Sequence, residues 1–262
     1  MDEKPLIVAA HKLFVGLPEA VSFSRRLLDA LQTRRLSLDV VISPSLINLA
    51  HVAEVLRDSP VAVAAQNVHQ EGSGAFTGQV SLEELLALGV KYVVIGHSEV
   101  LTHQRDGTET LCNKIRWCVD HGVRPFVCVS SRDLDEAHAP GASIADTLAE
   151  LFTGTLGGDS LQAVPLIVYE PPSSSICDSP EGRLRVRRVV RDIREHASAL
   201  LASRTTARPR VLYGGGVTPG NITTLSRELD ADGFFVGRAS VEVASFLSII
   251  DAAHEAITFS HQ

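Results

Sequence analysis

The amino-acid sequence predicts an α/β protein built as a single (β/α)₈ barrel. Three observations carry this. The chain has 262 residues, a length that suits one such barrel. Eight short β-rich runs recur along it, each followed by a helical pattern. Most of these runs are continuously apolar rather than alternating, as parallel strands covered on both faces are.

The runs are 6–11, 38–42, 61–65, 91–95, 125–129, 165–169, 211–213 and 233–236. After the first, residues 18–32 carry Val21, Leu27, Leu28 and Leu31 at helical spacing. After the third, Ser81 opens a helix with Glu84 in the capping-box position, and Gly89 closes it. Ser179-Pro180-Glu181 opens a strongly basic helix that runs through Leu201. Thr218-Pro219 and Ser240 read as further helix starts. Residues 133–141 and 204–210 read as polar surface loops, and 171–180 as a long βα loop of the kind that forms lids. An open doubly wound sheet competes with the barrel. It would usually place G-x-G-x-x-G after the first strand, where this chain has His11-Lys12-Leu13-Phe14. No linker or low-complexity tract divides the chain, so residues 1–262 read as one domain.

Composition narrows the function classes. Hydrophobic residues make up 45% and charged residues 21%, ample for a core. The net charge of −7 gives no basic footprint for nucleic acid. No apolar run approaches the roughly 18 residues of a membrane span. The start, Met1-Asp2-Glu3-Lys4-Pro5, lacks the basic-then-apolar layout of a signal peptide, which predicts a cytoplasmic protein. Cys112, Cys118, Cys128 and Cys177 have no zinc spacing and are expected to be buried free thiols in a reducing compartment.

In such a barrel, functional residues sit where strands end and βα loops begin. The polar residues there are Lys12, Gln66-Asn67, His97-Ser98-Glu99, Glu170, Gly214–Gly216 and Gly237-Arg238. A lysine, a histidine and a carboxylate converge at one end. That set suits proton transfer next to a carbonyl: a base, a hydrogen-bond donor to the carbonyl oxygen, and a cation for the developing charge. Each residue alone has a plainer explanation, such as a solvated lysine, a structural histidine, a carboxylate capping a loop, or a tight glycine turn. The convergence favours chemistry. Glycine runs after strands 7 and 8 suit a phosphate, because backbone N–H groups approach an anion only where no Cβ intrudes.

Several blocks resemble the triosephosphate isomerase family, in order and spacing. They are Ala64-Ala65-Gln66-Asn67, Gly74-Ala75-Phe76-Thr77-Gly78, Val94-Ile95-Gly96-His97-Ser98-Glu99, Tyr169-Glu170-Pro171, Leu212-Tyr213-Gly214-Gly215-Gly216-Val217 and Asp232-Gly233-Phe234-Phe235-Val236-Gly237. The resemblance covers essentially the whole chain and implies a TIM barrel. It implies that Glu170 moves a proton between C1 and C2 of a small sugar phosphate, with His97 as a neutral electrophile. Lys12 would balance charge, with Glu99 as a second acidic residue nearby. Gly215, Gly216 and Gly237 would offer amides to phosphate. No metal or organic cofactor is implied. The family is usually dimeric, with the 66–79 loop inserted into the neighbour so that Thr77 helps complete the partner's site.

Departures from the family pattern bear on substrate. The usual Asn-Trp-Lys after strand 1 is Ala10-His11-Lys12, so one side-chain hydrogen bond to substrate is missing. In the lid, Glu170 and Pro171 are followed by Pro172-Ser173-Ser174-Ser175-Ile176-Cys177-Asp178, without the family's Trp and glycines. Serine hydroxyls, Ser174 first, are the substitute donors. The usual Gly-Gly after strand 8 is Gly237-Arg238, which either blocks the phosphate pocket, brings a guanidinium to an anion, or turns outward. Val100 and Leu101 replace two arginines, and Ser131 stands where a glutamate is usual. The readings that follow are a triose phosphate isomerase, a paralogue for a tetrulose phosphate, a barrel of this family that binds without turnover, or an isomerase of a carboxylated sugar read by Arg238.

Overall fold

The computed structural model describes residues 3–130, 140–153 and 161–259. Eight parallel strands follow one another around a closed barrel, β8 pairing back onto β1. They are β1 (Leu6–Ala10), β2 (Asp39–Ser43), β3 (Ala62–Ala65), β4 (Tyr92–Ile95), β5 (Arg124–Ser130), β6 (Leu166–Glu170), β7 (Arg210–Tyr213) and β8 (Gly233–Val236). Each lies within a residue or so of the run that predicts it. The helices among the described residues are α1 (Leu17–Leu31), α2 (Leu46–Val55), α3 (Leu82–Ala87), α4 (Ser98–Gln104), α5 (Thr108–Asp120), α6 (Pro140–Thr153), α7 (Pro180–Leu201), α8 (Ile222–Glu228) and α9 (Val243–Phe259).

Continuous apolar strands are needed because both faces are buried. Leu6, Val8 and Ala10 of β1 face the barrel interior with Val41, Val94, Phe126, Val168 and Phe235. Ile7 and Ala9 face the helices, against residues such as Phe23, Leu27 and Ile42. Phe126 anchors the interior, stacked on Tyr92 at 4.9 Å and edge-on to Phe235 at 5.4 Å. At the strands' N-terminal end, buried Arg210 donates to the Glu3 carboxylate at 2.6 Å and to the carbonyls of Lys4 and Asp232. That charge is tolerable because its guanidinium is paired and hydrogen-bonded.

Local signals act as expected at three helices. Ser81 accepts from the Glu84 amide at 3.2 Å, and Gly89 adopts φ +76° just past α3. Ser179 accepts from the Gly182 amide at 3.0 Å and starts α7. Helix α1 buries Ala20, Phe23, Leu27 and Leu31, while Val21 and Leu28 flank that face. Two expected helix starts are not helix starts. Asn221 accepts from the Thr218 amide and donates to the Gly216 carbonyl, folding 218–221 into a turn ahead of α8. The Ser240 hydroxyl is spent on the carbonyls of Val236 and Gly237, in a short 3₁₀ turn that precedes α9. Of the loop expected at 133–141, residues 133–139 lie outside the described residues, as does Ser131, and Pro140 and Gly141 belong to α6.

Candidate active site

The C-terminal ends of the strands enclose a cavity of about 270 Å³. Lys12, His97, Glu99, Glu170, Ser174, Gly215 and Gly237 all line it. The barrel thus gathers residues from five βα junctions that are distant in sequence.

Lys12 adopts the left-handed conformation, φ +49°. For a lysine this costs about 1–2 kcal/mol, and the surrounding contacts hold it there. Gln66 donates to the carbonyls of Lys12 and Ser43, both at 3.1 Å. The sharp turn brings Lys12 Nζ to within 2.6 Å of Glu99 Oε1. The pair is one-third and one-half exposed, so its worth lies in placing the ammonium rather than in stability.

His97 follows β4 and caps α4. Its Nδ1 accepts from the Glu99 amide at 3.1 Å. A backbone N–H only donates, so Nδ1 carries a lone pair and the ring proton of the neutral imidazole sits on Nε2. Nε2 is 2.9 Å from Glu170 Oε1. Glu170 Oε2 accepts from the Ser98 amide at 3.1 Å. Burial pushes the Glu170 carboxyl up, but the bonds from His97 and Ser98 outweigh it and hold its pKa below the ordinary value. Glu170 is therefore a carboxylate at neutral pH, as a base must be.

The glycines after β7 sit beneath the residues that follow Glu170. A Cβ on Gly215 would meet the Tyr213 hydroxyl at 2.1 Å and Pro171 at 2.9 Å, and one on Gly216 would meet the Ser174 carbonyl at 2.3 Å. Only glycine permits this approach. Arg238 is exposed and does not line the cavity; its guanidinium stacks 4.2 Å above the Phe14 ring. Thr77 lies exposed on the loop between β3 and α3, away from the cavity of its own chain.

Other contributors were not legible as site residues. Ser43 faces Ala10 in the β1–β2 register, and Ser130 faces Glu170 in the β5–β6 register. Both hydroxyls are buried with no hydrogen-bond partner among the described residues. Behind the site, buried Lys114 donates to Asp106 at 2.6 Å and to Asn67 at 3.0 Å, and Asn67 donates to Gln104. This network ties the β3 and β4 loops together. Pairing at this range had no sequence signal, since the partners are non-local. Among the described residues, no cluster of side chains is arranged to hold a metal.

Comparison with known proteins agrees with this geometry. The model of the triosephosphate isomerase family matches residues 5–253. The triosephosphate isomerase of Chloroflexus aurantiacus is 35% identical over 248 residues, covering 94% of this chain and 98% of that protein. That of Carboxydothermus hydrogenoformans is also 35% identical over 248 residues, with the same coverage. That of Symbiobacterium thermophilum is 33% identical over 257 residues, covering 96% of this chain and 98% of its own. With a closed barrel, the site blocks in register and whole-length similarity, the chain belongs to the triosephosphate isomerase family.

Proposed function

We propose that this protein is an aldose–ketose isomerase that interconverts glyceraldehyde 3-phosphate and dihydroxyacetone phosphate. The observation that carries this is the contact between Glu170 and His97 Nε2 across a cavity that also holds Lys12. Glu170 exchanges the His97 and Ser98 donors for the substrate and takes a proton from the carbon beside the carbonyl. The electron pair moves onto the carbonyl oxygen, giving an enediolate. His97, neutral with Nε2–H forward, donates to that oxygen, and Lys12 offsets the charge. Glu170 then delivers a proton to the neighbouring carbon, while the hydroxyl proton on the first carbon passes to the enediolate oxygen, so that carbonyl and hydroxyl have changed places. Glu99 holds Lys12 in place. Amides of Gly215, Gly216 and Gly237 take the phosphate, with the Ser174 hydroxyl as a further anion contact; Arg238, stacked on Phe14 outside the cavity, takes no part. The reaction calls for no cofactor.

A second copy of the chain is the proposed partner. Leu13, Leu46, Leu49, Val68, Val80 and Val100 rim a cavity of about 400 Å³ beside the site, which suits the Thr77 loop of a neighbour. A cytoplasmic setting is supported by four buried free thiols. No described helix is long and apolar enough to cross a membrane.

A coupled assay with triose phosphates tests the reading. Glu170→Gln is expected to lower kcat by about 10²–10⁴-fold with substrate binding retained. Absence of turnover by folded wild-type protein, or full activity of Glu170→Gln, sinks it. Ala10 favours a second reading, a tetrulose phosphate as substrate, because the side chain that usually fills that corner is reduced to a methyl group.

A further inference from the structure

Beside the cavity of the candidate site lies a second lobe of about 410 Å³. Ala10, Lys12, His97, Glu99 and Phe235 border both. Ala10 and Ser43 both line the lobe and sit side by side at the ends of β1 and β2. Strand alternation points Ser43 inward, two residues after interior Val41. Ser43 is 1% exposed, and its hydroxyl has no hydrogen-bond partner among the described residues. A buried hydroxyl without a partner is costly, and it stands beside the corner where the missing side chain would bond substrate.

We propose that Ser43 is a substrate-binding and specificity-determining residue: its hydroxyl bonds a hydroxyl of a sugar phosphate whose carbon chain continues past the reacting carbons into the lobe at Ala10. This rests on the isomerase reading and names its substrate class. With phosphate at the glycines and the reacting carbons at Glu170, a fourth carbon extends away from the phosphate. The lobe wall there is Ala10, Ser43, Val94 and Phe235, with Gln66 behind. A three-carbon substrate ends before reaching it. In erythrulose 4-phosphate, proton transfer between C3 and C2 leaves the C1 hydroxymethyl group in the lobe, against Ser43. The proton lost from C3 goes to Glu170 and the C2 oxygen takes the electron pair. Glu170, its proton exchangeable with solvent, then protonates C2, while the C3 hydroxyl gives its proton up to the C2 oxygen and becomes the carbonyl of the isomeric ketose phosphate.

The test follows deuterium exchange from D₂O by NMR for erythrulose 4-phosphate and dihydroxyacetone phosphate. For wild type, exchange is expected with both the three-carbon and the four-carbon compound. Ser43→Ala is expected to lose about five- to tenfold on that compound, mostly in KM, and less on the three-carbon one. Ala10→Asn, which fills the lobe, is expected to cut turnover of the four-carbon compound at least about tenfold while sparing the three-carbon one. The thermal midpoint of Ser43→Ala is expected not to fall, because an unpaired hydroxyl is removed; a purely structural serine would lower it. Equal effects on both substrates, or none, overturn the proposal. If neither compound exchanges, the isomerase reading fails, and calorimetry with unreactive erythritol 4-phosphate still decides Ser43. Binding that Ser43→Ala weakens supports the contact; absent or unaltered binding overturns it.

Discussion

Burial meets two titratable residues at strand ends, and only one of them stays charged. Glu170 is buried yet held as a carboxylate, because two donors outweigh the desolvation. His11 is fully buried against the Phe23 ring at 4.6 Å, and its ring nitrogens have no hydrogen-bond partner among the described residues. Burial therefore brings its pKa down from 6.5 to about 4. Unfolding between these values takes up a proton. Stability is thus full above the window and falls as pH drops through it. The expected loss on going from about pH 7.5 to about pH 4.5 is on the order of 2–3 kcal/mol. Urea titrations across that range check it: His11→Phe, which keeps the edge contact, is expected to flatten this part of the profile. An unchanged profile would remove His11 from the account.

At the scale of elements, the lid is built differently from the pattern its first two residues suggest. A 3₁₀ turn, Ile176–Asp178, packs on the start of α7. Arg183 donates to the Cys177 carbonyl at 3.1 Å and pairs with Glu228 of α8 at 2.7 Å, clamping that end. A Cβ on Gly182 would lie 1.6 Å from the Ile176 carbonyl oxygen. Alanine in a helix is ordinarily favoured over glycine by about 0.5–1 kcal/mol. Here the overlap is with backbone, so the clash wins, at about 1–3 kcal/mol. Calorimetry of Gly182→Ala is expected to show a lower Tm, by about 2–4 °C per kcal/mol. A rise in Tm would mean that the turn yields freely.

At the scale of the molecule, one face of the barrel mouth is unusually apolar. Leu13 is 88% exposed, Ile47 78% and Leu46 55%, all beside the cavity assigned to a partner loop. Clustered exposed apolar side chains mark interaction surfaces. Light scattering at micromolar concentration is expected to give twice the 28.1 kDa chain mass, and Ile47→Glu to shift it toward one chain. A wild-type monomer would refute the pairing. By itself, the sequence determined the eight strands, the order of the helices and the residues at the strand ends. Continuous apolar runs, caps and terminal glycines are local signals, and the barrel's regular repeat turns them into architecture. Lys12, His97 and Glu170 were legible because each ends a strand. Only the tertiary structure decided what those ends face. Arg238 lies on Phe14, Asn221 rather than Thr218 opens α8, and Ser43 stands beside Ala10 without a partner. These outcomes depend on register between strands and on packing between loops far apart in the chain, which no local pattern of residue types encodes.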